Sequence, residues 1–208
     1  KDFSKKDKKL SINKQLSFTD DTVLTIAVAK WLLEDKEHDK EKLIDLFKHF
    51  GGGYKPLTFS DKFKAWVRSD SRKPFGDADD GSAMRVSPIG YYAKNIKECL
   101  ELARLSAEVT HNTEEGIRGA QAIAAAIFLN RYGLSKKEIK QYIGELFPSY
   151  NLKRKIDTIR PKYEPRNNCD NVVPESIICF IEGKDYTETV NLAISLGGDT
   201  DTMACMSG

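Results

Sequence analysis

Asp21-Thr22-Val23-Leu24-Thr25-Ile26-Ala27-Val28-Ala29-Lys30-Trp31-Leu32-Leu33 is apolar on almost every side when wound at the helical period. A helix of that character belongs in a core rather than on a surface. The same period continues outward. Leu43, Ile44, Phe47 and Phe50 recur at helical spacing, and Gly51-Gly52-Gly53 ends that helix. Phe63, Trp66 and Val67 predict a short helix, and Ser71 to Ser82, with its Pro, Gly and acids, predicts a loop. Asn95 to Val109 is amphipathic. Thr113 caps a long helix through Asn130, with Gly133 beyond its end. Ser135 and Glu138 form a capping box, in which hydroxyl and carboxylate satisfy orphan N–H groups reciprocally; Asp185-Tyr186-Thr187-Glu188 repeats the pattern and opens a helix through Leu196. Leu152 to Ile159 predicts one more short helix. Asn167 to Val173 reads as irregular, and Pro174 as the first position of a helix that Gly183 ends. No run shows the strict alternation of an exposed strand. The expected fold class is therefore all-α, a compact helical bundle.

Composition sets bounds. The chain has 208 residues, 40% of them hydrophobic and 31% charged, which suits one domain spanning residues 1–208 with a sizeable core. A net charge of +2 argues against nucleic acid as the main partner. The six lysines of residues 1–14 are interrupted by Asp2 and Asp7 and read as a solvated tail. No stretch approaches the roughly 20 apolar residues that span a bilayer. Cys99, Cys179 and Cys205 sit among apolar residues and read as buried, reduced thiols, which with the absence of a leader predicts a cytoplasmic protein. The chain begins without Met and stops inside an apolar run, Met206-Ser207-Gly208, so it reads as part of a longer protein.

Two short clusters carry the chemistry. Thr19-Asp20-Asp21-Thr22 lies near the start and Gly198-Asp199-Thr200-Asp201-Thr202 near the end. Carboxylates and hydroxyls gathered so densely suit hard divalent cations. Each cluster also has a plainer reading. Thr19 and Asp20 can cap a helix, and the second cluster can be a glycine cap followed by an Asx-turn, whereas its x-Asp-x-Asp spacing, with two carboxylates on the same side of an extended turn, invites a cation. Asp77-Ala78-Asp79-Asp80-Gly81-Ser82 is neither a calcium loop, since its Gly falls one position early, nor a phosphatase nucleophile, since no apolar strand precedes it. His111 has a packing reading as well as a functional one, and His38 and His49 lie in charged stretches.

Phe18-Thr19-Asp20-Asp21-Thr22, Gly51-Gly52-Gly53-Tyr54, Gly81-Ser82-Ala83-Met84-Arg85-Val86-Ser87-Pro88, Thr110-His111-Asn112 with Glu115, and Gly197-Gly198-Asp199-Thr200-Asp201-Thr202 stand in this order. In that order they resemble the motifs of the ADP-ribosylglycohydrolase family, over essentially the whole chain from Phe18. The resemblance implies an orthogonal all-helical bundle with two Mg²⁺ or Mn²⁺ ions. It implies hydrolysis of the bond between ADP-ribose and a modified protein side chain or small acceptor. Carried over by match, the metal ligands are Thr19, Asp20, Asp21, Asp199, Asp201 and Thr202. Asp20 and Asp21 are the expected catalytic carboxylates, positioning metals and water together. Gly52, Gly53, Tyr54, Asp80, Gly81, Ser82 and Met84 are the expected substrate side, with His111 near the substrate. The family's N-terminal Gly-Asp-rich helix with its glutamate, and its C-terminal helical segment, have no counterpart here. Asp80 stands where the family's loop usually has Asn. Three acids beside a diphosphate repel it unless a metal or Arg85 intervenes. Two further readings follow from these departures: a non-catalytic relative that binds ADP-ribose or metal, and a helical protein whose acids are only caps.

Overall fold

The computed structural model describes residues 17–53 and 59–208. Eleven α-helices follow one another: α1 (Asp20–Glu34), α2 (Lys40–Gly53), α3 (Asp61–Arg68), α4 (Ser87–Tyr92), α5 (Ile96–Glu108), α6 (Glu114–Arg131), α7 (Lys136–Leu146), α8 (Ile156–Ile159), α9 (Cys169–Glu182), α10 (Tyr186–Leu196) and α11 (Thr200–Ser207). Among the described residues no strand forms, and an isolated antiparallel bridge pairs Asp79 with Asn168. The all-α expectation is met. The lysine-rich stretch and Tyr54 lie outside the described residues. No described helix is long and apolar enough to cross a membrane.

Local chemistry explains most boundaries. Asn95, Thr113, Ser135 and Asp185 each accept a hydrogen bond from a first-turn N–H, and Ser135 with Glu138 completes the expected box. α6 runs through the middle, against α4, α5, α7 and α9. Its buried face is built from small residues, Gly116, Gly119, Ala120, Ala122, Ala124 and Ala125, which lets those neighbours come close. Trp31 and Phe47, both 0% exposed, anchor the core at the α1–α2 end. Burial of each such side chain contributes roughly 1.5–3 kcal/mol.

Four sequence expectations are corrected. α1 is not buried all round: Ile26 and Leu33 are exposed on one face while Val23, Leu24, Ala27, Val28, Trp31 and Leu32 face the core. The glycine triplet ends α2 not as a cap beyond the helix but as its last turn. A Cβ at Gly51 would lie 2.8 Å from Phe63 Cε1, so glycine here lets α3 lie against α2. Pro174 is interior to α9, which Asn168 caps five residues before the expected start. Cys205 is exposed, although its thiol turns in to donate to the Met84 carbonyl at 3.5 Å; Cys99 and Cys179 are buried as expected.

The α6–α9 contact is testable. A Cβ on Gly119 would stand 2.5 Å from Cys169 Sγ and 2.7 Å from Cys169 Cβ. Gly119→Ala gains about 1 kcal/mol of helix propensity. The overlap with a buried side chain outweighs that, and a net loss of about 1–2 kcal/mol is expected within the range for overpacked cores. Denaturant unfolding measures it, and an unchanged midpoint would mean that α6 and α9 separate freely.

Candidate active site

The two acidic clusters, 179 residues apart in the chain (199 − 20), open onto one cleft. Asp20 stands at the start of α1 and Asp199, Asp201 and Thr202 at the start of α11. Asp79, Asp80 and Gly81 form a third wall, with Met84, Arg85 and His111 behind it and Phe59, Ser60 and Phe63 at the α3 side. The third wall is held to α9 by backbone: Cys169 N–H donates to Ala78 O at 2.9 Å, and the Cys169 thiol donates to Asp79 O at 3.3 Å. Asn167 links it to α11 by donating to Asp199 Oδ2 at 3.0 Å.

The glycine cap is present, since Gly197 closes α10 at φ 78° with its N–H donating to Ile194 O, but the side-chain caps are not. Thr19 occupies the N-cap of α1 and Asp199 the N-cap of α11, yet neither side chain makes a capping hydrogen bond. Thr19 Oγ1 instead donates to Asp21 Oδ2 at 2.8 Å, and the Thr202 hydroxyl from the other cluster bonds to the same Asp21 carboxylate. The Asp199–Asp201 pair does not lie on an extended turn, because Asp199 is the N-cap of α11 and Asp201 lies in its first turn.

The electrostatics record crowding. Burial pushes the Asp21 carboxyl above the usual carboxylate range, opposed by Thr19 and with Asp20 adding repulsion. Asp201 keeps surface at the rim, but desolvation of its carboxyl, its hydrogen bond to Asp199 and the charges of Asp199 and Asp21 raise its pKa to about 6. Asp79 is raised by burial, then by Asp77. Lys62 answers Asp77 with an ion pair at 2.9 Å. Arg85 does not answer the acidic turn: its guanidinium is 0% exposed, donates to Ser106 O at 2.6 Å and Thr110 Oγ1 at 2.8 Å, and lies over the Phe47 ring at 4.3 Å. Desolvation lowers its pKa to about 9.

Among the described residues no three His, Cys, Asp or Glu side chains already stand together as a ready metal cage. The donor chemistry nevertheless fits a hard cation. Asp21 Oδ1 is buried without a hydrogen-bond partner among the described residues, and a carboxylate oxygen so placed is costly unless a positive charge meets it. The hydroxyls of Thr19 and Thr202 and the carboxylates of Asp20, Asp199 and Asp201 supply the further oxygens that such an ion takes.

The remaining expected residues divide. Asp80, Gly81, Met84 and His111 line the cleft. Ser82 does not: it is 0% exposed, and its hydroxyl donates to Gly116 O at 2.8 Å, so it fastens the turn to α6. Gly52 and Gly53 are exposed at the end of α2 and do not line this cleft. Sequence reasoning missed Arg85 as a buried cation and missed Phe59 and Phe63 as cleft walls. The signal for Arg85 was present, an arginine inside the apolar run Ala83-Met84-Arg85-Val86.

The chain is thus an all-helical bundle with carboxylates and hydroxyls from three distant segments around one acidic cleft. The family model for ADP-ribosylglycohydrolase matches residues 3–208. The chain belongs to the ADP-ribosylglycohydrolase family. It is 28% identical over 217 residues to an uncharacterised protein of Archaeoglobus fulgidus, covering 92% of this chain and 69% of that one. It is 27% identical to the chicken (Gallus gallus) and 26% to the human ADP-ribosylhydrolase ARH3, each over 254 residues, covering 93% of this chain and 68% and 69% of theirs. A solved structure described as an ADP-ribosylglycohydrolase-related protein complex superposes with a TM-score of 0.70 at 22% identity, covering 92% of this chain and 69% of that one. At that identity the likeness concerns the fold.

Proposed function

We propose that this chain is a metal-dependent hydrolase that cleaves the glycosidic bond between ADP-ribose and a modified protein side chain or small acceptor. Membership of the family and the ARH3 relatives support the reaction class. One observation carries the reading: Thr19 donates to Oδ2 of the buried Asp21, Thr202 from the other end of the chain faces the same carboxylate, and Oδ1 has no hydrogen-bond partner among the described residues. Two Mg²⁺ or Mn²⁺ ions would be held by Thr19, Asp20, Asp21, Asp199, Asp201 and Thr202. When bound, they would supply Lewis-acid polarisation of the ribose hydroxyls and the positive charge these carboxylates lack.

The chain's own groups do the rest. The bond at ribose C1 breaks through an oxocarbenium-like transition state, its electron pair leaving with the acceptor, while a water oxygen attacks C1. Asp20, on the cleft wall, orients that water, takes its proton and returns a proton to the departing acceptor. Asp21, fixed by both threonines, holds Asp20's neighbourhood negative and aligned. Gly81 leaves the Asp80–Met84 turn without a side chain at the point where the diphosphate passes, and Met84 packs against the nucleoside. Gly52, Gly53 and Tyr54 are proposed to meet the substrate from the α2 side, outside the described cleft walls.

The test is release of ADP-ribose from peptides modified on Arg or Ser. Turnover is expected with Mg²⁺ or Mn²⁺, to vanish with EDTA and to return on adding either ion. A second reading is a relative that binds ADP-ribose or metal without turnover; the acidic turn Asp79-Asp80 adds negative charge where a diphosphate passes, which a bound cation would have to offset. ADP-ribose binding with no release under any cation would establish that second reading and end the first.

A further inference from the structure

Arg85, Thr110 and His111 form a buried chain that the proposed reaction does not use. Arg85 Nη2 donates to Thr110 Oγ1 at 2.8 Å, and Thr110 Oγ1 lies 2.8 Å from His111 Nδ1. Thr110 is 0% exposed. Its hydroxyl has one proton to give, and a buried hydroxyl needs an acceptor for it. The guanidinium has no lone pair to offer, so it is always the donor to Oγ1. Among the described residues the acceptor left for the hydroxyl proton is His111 Nδ1. The ring proton then sits on Nε2. On that side a Cβ at Gly81 would come within 3.0 Å of Nε2, so only a glycine there leaves the ring edge open to the cleft wall. Phe75, edge-to-face at 5.3 Å between centroids, holds the ring plane.

We propose that Arg85 and Thr110 are positioning residues that fix His111 in the tautomer with its proton on Nε2, presented to the cleft as a donor to an anionic oxygen of the bound nucleotide. The ligand half of this statement rests on the ADP-ribose reading above; the tautomer half does not. Charge acts in the same direction as the hydrogen bonds. Burial first, then the positive charges of Arg85 and Lys62, hold His111 well below its ordinary range, so the ring donates without becoming an imidazolium. The arrangement also accounts for an arginine fully inside the core. Its Nε and Nη1 have no partner among the described residues, yet its Nη2 sets the direction of a hydrogen bond two side chains away.

Ring-nitrogen NMR on the whole chain reads the tautomer directly, with His111 assigned against His111→Gln. The expected result is a pyridine-type Nδ1 and a pyrrole-type Nε2. Thr110→Val keeps shape and leaves the Arg85–Ser106 bond, but removes the donor to Nδ1. It is expected to mix the tautomers and to weaken ADP-ribose binding by roughly tenfold, the loss of one hydrogen bond to a charged group. Thr110→Ser restores both readouts. A wild-type ring protonated on Nδ1, or an unchanged tautomer in Thr110→Val, overturns the positioning role. A correctly protonated ring in a protein that does not bind ADP-ribose overturns the ligand half and the nucleotide reading together, while the tautomer lock stands.

Discussion

Asp21→Asn is expected to lower turnover by about 10²–10⁴-fold, the range for removing a positioned carboxylate from a reacting site, while raising the thermal midpoint of the cation-free protein at neutral pH. The two effects share one cause. Asp21 is 4% exposed, and burial lifts its pKa. For a carboxyl whose folded pKa lies above its unfolded value, the folded state binds the proton more tightly. The cost is absent below the unfolded value of about 3.9 and complete at neutral pH. Asparagine keeps the shape and an oxygen for Thr19 and Thr202 but brings no charge beside Asp20 and Asp201. A site tuned for function at the expense of the fold shows this inverse relation. Activity at the wild-type level together with a sharply lower midpoint would instead make Asp21 a structural residue.

Saturating Mg²⁺ or Mn²⁺ is expected to stabilise the protein strongly. An ion that binds only the folded chain contributes about 2.7 kcal/mol at a hundred times its Kd. For a chain of 208 residues each kcal/mol moves the midpoint by about 2–4 °C, so a rise of roughly 5–11 °C follows. Relief of the repulsion among Asp21, Asp199 and Asp201 is part of what sets that Kd. Asp199→Ala and Asp201→Ala should each remove most of the rise. Differential scanning fluorimetry across a cation titration decides. A midpoint indifferent to both ions, and alike in wild type and variants, sinks the metal assignment.

Where a local rule governs a segment, its residues announced it. The capping box at Ser135 and the caps at Thr113 and Asp185 were legible because each needs only a few consecutive residues. Two helices escaped local reading. α4 is Ser-Pro-Ile-Gly-Tyr-Tyr, too short and too mixed to show a period, and it exists because Ile89 and Gly90 are buried against α6; a Cβ at Gly90 would lie 2.6 Å from Ile127 Cγ2. α9 starts early because the Asn168 side chain accepts from Asn171 N–H, which outweighs the missing N–H of Pro174. The acidic clusters could be named from sequence as cation-suited, but their meeting could not be derived from it. No periodicity encodes a contact between Thr19–Asp21 and Thr202; only the family resemblance anticipated it. The inward turn of the Ser82 side chain was illegible for the same reason: its partner, Gly116 O, is a nonlocal contact that sequence does not display.

The first and last helices jointly own Asp21, and that has a bearing on how the protein is made. A ribosome adding about 5–20 residues per second places the residues between Asp20 and Asp199 in roughly 10–40 s. Throughout that interval the carboxylates of α1 have no counterpart from α11. A nascent chain therefore holds the carboxylates of α1 without those of α11 until Asp199 and Asp201 have been added.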